Sequence, residues 1–246
     1  MLAVNDGEAV EIERLLHQRS ECVFASVQRW GATWAGLEPS IQDSLRQFRK
    51  TNAGGEIIGI ELGGTNPYGA VDIDHHRYGD DDRSNSLSSL EQVAARLPVK
   101  LDHRQQLVAA NDRGFIAGME EMGATVAEVR DVRAQDLAAQ GVTPEQQQDQ
   151  RREVETATVI DGRYLVTTAF DPPTALSDLL YQEKQAREWL IRGPHVWSYS
   201  GPRHKEFAAL PLTESHWSGG RPQSGYFGIE NPGEDARKKI LNLFEG

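Results

Sequence analysis

Short apolar runs alternate with amphipathic stretches through the first half of the chain, and this alternation limits the fold more than any other feature. Cys22-Val23-Phe24-Ala25, Ile57-Ile58-Gly59-Ile60 and Val71-Asp72-Ile73 are strand-length runs. Around them, residues 8–19 carry Val10, Ile12, Leu15 and Leu16 at helical spacing, and residues 39–49 carry Ile41, Leu45 and Phe48 in the same way. Apolar runs set apart by Gly-rich turns such as Gly63-Gly64-Thr65-Asn66-Pro67, and interleaved with helices, read as parallel strands buried on both faces. The expected class is α/β, with a mainly parallel sheet and helices on both of its faces.

From Leu87 to Met122 helical patterning dominates, through Leu90, Val93, Ala94 and Leu97, then Leu107 and Val108, then Phe115, Ile116 and Met119. Residues 143–150 carry no apolar side chain apart from Pro144, so they read as a solvated helix or a linker. The boundary between two lobes is expected there, with a larger α/β lobe over 1–152 and a smaller one over 158–246. In the second lobe Tyr164–Thr168, Val196–Tyr199 and Tyr226–Ile229 read as strands. A helix begins near Pro172-Pro173, where proline suits a first turn, and a last amphipathic helix covers 234–244. A cleft between the lobes is the expected place for a ligand.

Composition narrows the function classes. The 246 residues are 38% hydrophobic and 26% charged, near the values of ordinary folded proteins. A net charge of −11 argues against a broad duplex nucleic-acid or anionic-membrane surface, because such surfaces must neutralise phosphates. No apolar stretch approaches the roughly 20 residues that span a bilayer. The acidic opening, Asp6, Glu8, Glu11 and Glu13, is unlike a secretory signal. The single cysteine, Cys22, points to a reducing compartment and limits any metal site to oxygen and nitrogen ligands. A soluble, cytoplasmic protein is expected.

The densest polar cluster, Asp72-Ile73-Asp74-His75-His76, follows an apolar strand directly. Ligands of open α/β sheets gather at the carboxyl ends of strands, and imidazole and carboxylate groups there suit Mn²⁺, Mg²⁺ or Zn²⁺. A bare His-His pair is weak, since a solvated turn accounts for most such dipeptides. Its context adds weight: Val71 to His76, then Ser86 to Ser89, then Leu90-Glu91-Gln92-Val93-Ala94, then Ala109-Ala110-Asn111-Asp112-Arg113-Gly114.

That order, over roughly residues 55–125, resembles the DHH phosphoesterase superfamily, whose members cleave phosphoester or phosphoanhydride bonds at a metal centre. The resemblance implies that His75 and Asp112 are metal ligands, with Glu61 where an aspartate is usual. It also implies that His76 faces the scissile phosphate and that Asp74 belongs to the same site. Mn²⁺ is the cation expected first. Active members of the family carry a histidine and two closely spaced aspartates just after the first strand. With the first strand at Cys22–Ala25 the matching stretch is 24–34, which has neither; Trp30 and Trp34 there read as core packing or as platforms for a base.

Downstream, Ser218-Gly219-Gly220-Arg221-Pro222-Gln223-Ser224 resembles the Gly-rich segment with which the family's associated lobe holds a phosphate. Gly219, Gly220, Arg221 and Ser224, together with Arg113, are therefore the expected substrate-binding residues. The function expected is metal-dependent phosphoester hydrolysis of a small nucleotide, short oligonucleotide or cyclic dinucleotide. The alternatives are a degenerate relative that binds such a ligand without cleaving it, and a scaffold within a larger assembly; a homodimer is left open.

Overall fold

The computed structural model describes residues 2–29, 31–52, 54–78, 81–171 and 173–246, so Trp30 and Pro172 lie outside the described residues. In chain order the first half contains β1 (Leu2–Ala3), α1 (Gly7–Gln18), β2 (Ala25–Ser26), α2 (Pro39–Thr51), β3 (Ile58–Ile60) and β4 (Val71–Ile73). A short antiparallel pair, β5 (Arg77–Tyr78) and β6 (Asp81–Asp82), precedes α3 (Ser89–Arg96), α4 (His103–Glu121), α5 (Val126–Ala139) and α6 (Pro144–Glu155). The remainder is β7 (Thr158–Ile160), β8 (Arg163–Thr167), α7 (Thr174–Gln182), β9 (Trp189–Arg192), β10 (Val196–Gly201), α8 (His204–Ala208), β11 (His216–Arg221), β12 (Ser224–Glu230) and α9 (Glu234–Glu245).

The chain is α/β. Strands β2, β1, β3 and β4 form, in that order, an all-parallel sheet. Side chains of a strand alternate between faces, and here the alternation sorts two cores. Leu2, Ile60 and Ile73 pack with Ile12, Leu90, Val93, Leu107 and Val132 from α1, α3, α4 and α5. Ala3, Ile57 and Leu62 pack with Leu45 and Phe48 of α2 on the other side. Helices thus cover both faces of this sheet.

The larger sheet is mixed, in the order β6-β5-β11-β12-β10-β9-β8-β7, and only β8 and β9 pair in parallel, joined through α7. One of its faces is closed by Phe207 of α8 and by Ala236, Ile240 and Phe244 of α9, against Trp197, Tyr199, Phe227 and Ile229. On the other, Val166, Trp189 and Ile191 meet Val154 of α6 and Leu176 and Leu180 of α7. Beyond that cluster β10–β12 turn Ser198, Ser200, Ser224 and Tyr226 toward the parallel sheet.

Three elements differ from the expectations above, and of the two readings given for residues 143–150 the helix is the one found. The first strand is β1, and of Cys22–Ala25 only Ala25 belongs to a strand, the edge strand β2, in which Ala25 lies opposite Leu2 and Ser26 opposite Ala3. Residues 143–150 are helical: Thr143 and Gln146 form a reciprocal cap, Pro144 occupies the first turn, and Gln150 and Val154 are buried. The segment containing Gly219-Gly220 is strand β11, not a loop. Finally, β5 and β6 lie before the expected boundary yet extend the second sheet, with Arg77 opposite Ser218. That sheet, the larger of the two, draws on both sides of residues 143–150. Among the described residues, no helix is long and apolar enough to cross a membrane.

Trp34 is 1% exposed and its indole N–H donates to Asp72 Oδ1 at 3.0 Å, so it is a core residue with its one polar atom satisfied.

Candidate metal centre

Three neighbouring parallel strands release acidic or imidazole side chains at their carboxyl ends. After β1 the chain turns at Asp6, which caps α1 by accepting from the Ala9 N–H at 2.8 Å, and this puts Glu8 in the first turn. After β3 comes Glu61, whose φ of 53° is left-handed. After β4 come Asp74, His75 and His76. Asp112 arrives from the middle of α4, three residues before Phe115 breaks that helix with φ 55° and ψ −150°. Left-handed backbone at a non-glycine residue costs about 1–3 kcal/mol and persists where packing over-determines it, commonly beside functional groups.

One ligand atom from each of Glu8, Glu61, His75 and Asp112 lies within 4.8 Å of all the others. His75 Nε2 is 2.7 Å from Asp112 Oδ2 and 3.4 Å from Glu61 Oε1. These approaches lack hydrogen-bond direction: His75 Nε2, Asp112 Oδ2, Glu61 Oε1 and Glu8 Oε2 are all buried without a hydrogen-bond partner. Buried polar atoms are normally paired. Four such atoms converging, with three carboxylates to one imidazole, could hold a hard or borderline divalent cation.

Asp74 organises the two histidines. Its Oδ1 accepts from the backbone N–H of His75 at 2.8 Å and of His76 at 3.0 Å, and lies 2.9 Å from His76 Nδ1. The His76 ring stands 6.0 Å from those of Tyr78 and Tyr226. The adjacent imidazoles therefore divide: His75 points into the carboxylate cluster and His76 borders the cleft.

The cluster carries protons when no cation balances it. Burial, then Asp112 and Glu61, pushes the Glu8 carboxyl well above its ordinary value. Burial, then Glu61, Asp136 and Asp112, does the same to Asp6. Burial alone would lower His75, but Asp112 and Glu61 outweigh it and raise the imidazole well above 6.5. Glu61 goes the other way: burial raises it, and His76 and His75 overcome that and hold it at about 2. Groups whose folded pKa is raised bind more protons in the native state, so their stabilising contribution is lost as pH rises. For Asp6 and Glu8 the loss begins near the unfolded value of about 4, and for His75 near about 6.5; Glu61 acts only near and below its unfolded value. The metal-free melting temperature should accordingly fall between pH 5 and 8.5. Because a cation must displace these protons, the increase in melting temperature caused by Mn²⁺ should grow over the same range. Scanning fluorimetry in both states measures this, and a Mn²⁺ effect independent of pH would contradict it.

A second buried network supports the first. Asp136 Oδ1 accepts from the Gly7 N–H at 2.8 Å, between Asp6 and Glu8, while its Oδ2 lies 2.6 Å from Arg133 Nη1. The same Nη1 donates to Asn111 Oδ1 at 3.2 Å, beside Asp112, and Arg133 Nε donates to Asp178 of α7 at 3.0 Å. Groups one step behind metal ligands typically contribute 10–100-fold in affinity. Asp136→Ala should weaken Mn²⁺ binding by about that factor, and Asp136→Asn, which keeps an acceptor for Gly7, by less. Calorimetric titration of both variants tests the ranking, and undiminished affinity in Asp136→Ala would remove this role.

The cluster opens into a cleft lined by Asp6, Glu8, Glu61, His76 and Asp112 on one side and by Ser198, Ser200, Trp217, Ser224 and Tyr226 on the other. Of the expected substrate-binding residues, Ser224 lines this cleft. Gly219, Gly220, Arg221 and Arg113 are not among its walls. A Cβ on Gly219 would come within 2.6 Å of the Tyr226 hydroxyl, and Gly220 has φ 87° with Gly225 Cα close by, so hairpin packing accounts for both glycines. Arg221 pairs with Glu121 of α4, and Arg113 Nε with Glu91 at 3.0 Å. Glu61, His75 and Asp112 are brought together as expected. Asp6 and Glu8 are the residues sequence reasoning missed. No protein-family model matches the chain, and no curated protein matches it by sequence.

Proposed function

We propose that the chain is a metal-dependent phosphoesterase acting on a small nucleotide or short phosphodiester, with Mn²⁺ expected first among the cations. The observation that carries this reading is the convergence of the unpaired donor atoms of Glu8, Glu61, His75 and Asp112 beside a cleft. A cation held there would polarise a phosphoryl oxygen and activate water. The chain's own residues do the rest: Asp74 holds the His76 ring, His76 faces the phosphate, and the serine and tyrosine wall receives the remainder of the ligand. The resemblance to DHH phosphoesterases supports the same reading. The first strand is now β1, and two closely spaced acids, Asp6 and Glu8, follow it. An acidic, lone-cysteine chain also fits a small ligand in a reducing, cytoplasmic setting.

A binding-only alternative rests on one departure: no histidine accompanies Asp6 and Glu8, where active relatives carry one. The two readings separate when metal-stripped protein is reloaded with Mn²⁺ and offered nucleoside monophosphates, a 5′-phosphorylated dinucleotide and a cyclic dinucleotide. Release of phosphate or mononucleotide is expected. Saturable binding without turnover would favour the alternative, and neither binding nor turnover would remove both.

A further inference from the structure

The walls of the cleft carry a charge pattern that bears on the ligand. Five carboxylates line it: Asp6, Glu8, Glu61, Asp112 and Asp136. Among the described lining residues Arg133 is the one arginine or lysine. Its charge is already met. Arg133 Nη2 is 2.7 Å from Asp178 Oδ1 and Nη1 is 2.6 Å from Asp136 Oδ2, while the guanidinium lies 4.7 Å from the centre of the Phe115 ring. Arg113 and Arg221, which are not among the cleft walls, are paired with Glu91 and Glu121.

With its carboxylates and Arg133 ionised and the histidine counted as neutral, the lining has a formal charge of −4. One divalent cation leaves it negative and two bring it to neutrality, so neither state has positive charge to spare for a second phosphate. Like charges placed together in a partly desolvated site oppose binding. The opposite wall is uncharged. Ser198 and Ser200 of β10 lie beside Gly228 and Tyr226 of β12 in register, and Ser224 and Trp217 complete a surface of hydroxyls and aromatic rings.

We infer that the cleft takes a ligand with a single phosphate, seated at the cation, on an uncharged body whose hydroxyls and ring meet Ser198, Ser200, Ser224 and Tyr226. This rests on the phosphoesterase reading and narrows its substrate class, setting nucleoside monophosphates and isolated monoesters above bisphosphates and oligonucleotides.

The test is equilibrium binding to the Mn²⁺-loaded full chain of adenosine and uridine monophosphates, adenosine 3′,5′-bisphosphate and a 5′-phosphorylated diadenosine dinucleotide. The added phosphates of these probes are separated along the molecule, which limits removal of Mn²⁺ by chelation. Each added phosphate should weaken binding by about tenfold or more, equivalent to about 1.4 kcal/mol. Ser200→Lys, which sets a cation on the neutral wall, should raise the ratio of bisphosphate to monophosphate affinity by about tenfold. If the bisphosphate or the dinucleotide binds as tightly as the monophosphate, the inference falls while the phosphoesterase reading stands. An unchanged ratio in Ser200→Lys also counts against it. If none of the probes binds, both fall together.

Discussion

Glu8→Gln should lower Mn²⁺ affinity by more than about 100-fold, since losing even a supporting group behind a ligand costs about 10–100-fold. The substitution suits the geometry. Glu8 Oε1 accepts from the Leu90 N–H at 3.0 Å at the start of α3, and a glutamine carbonyl can keep that bond. What changes is Oε2, the buried oxygen with no partner, which becomes an amide that cannot ligate. The metal-free protein should respond in the opposite sense. Burial and the carboxylates of Asp112 and Glu61 disfavour the charged form of Glu8, so a neutral isostere removes repulsion and should raise the metal-free melting temperature near pH 8. A variant that loses Mn²⁺ and gains metal-free stability identifies a ligand; one that binds Mn²⁺ like the parent shows that Glu8 is only an anchor for α3.

Part of this site was legible in the sequence because its signals were local. Asp74, His75 and His76 are contiguous and follow an apolar run, so a strand-end cluster is the natural reading of those residues. Glu61 follows a second such run directly. Glu8 carried no such mark. Its strand, β1, is only two residues long within the short apolar run Leu2-Ala3-Val4, and nothing in that run marks it as the centre of a sheet, while Glu8 itself reads as one more charge on the polar side of an amphipathic helix. Cys22–Ala25 reads as the first strand in preference to Leu2–Ala3, which places the expected acidic pair about twenty residues after its position in the fold. What makes β1 central is long-range: Leu2 pairs with both Ala25 and Ile60. Pairing at that separation leaves no trace in local periodicity.

The same limit explains the second sheet. Gly219-Gly220 in sequence reads as a turn because glycine supplies backbone freedom. In the structure β11 lacks side chains there because Tyr226 and Gly225 of the neighbouring strand occupy the space. Arg221 looked like a phosphate ligand for want of a visible partner, and that partner, Glu121, is 100 residues earlier on α4. A charge read alone in a sequence is free by default, whereas in a fold most charges near a cleft are spoken for. The cleft that results is acidic on the side of Glu8, Glu61 and Asp112 and neutral on its sheet side. On the proposed function, affinity for a phosphate comes from the cation, which concentrates the chemistry on the residues around it.

His76→Ala follows from that concentration and should reduce turnover by about 100-fold or more, within the range for a positioned acid–base group, while leaving Mn²⁺ affinity within a few-fold of the parent. His76 is outside the four-residue donor set of Glu8, Glu61, His75 and Asp112, although a ring nitrogen of His76 also lies within 4.8 Å of ligand atoms of Glu61 and His75. Its Nδ1 sits 2.9 Å from Asp74 Oδ1, so a proton is held on Nδ1 and Nε2 is left to meet the substrate. Asp74→Asn supplies the discriminating control. An asparagine cannot fix the imidazole as an anion does, so kcat should fall while Mn²⁺ stays bound. Loss of Mn²⁺ in His76→Ala would instead make His76 a ligand. Full turnover in that variant would leave the cation and its carboxylates to do the chemistry without it.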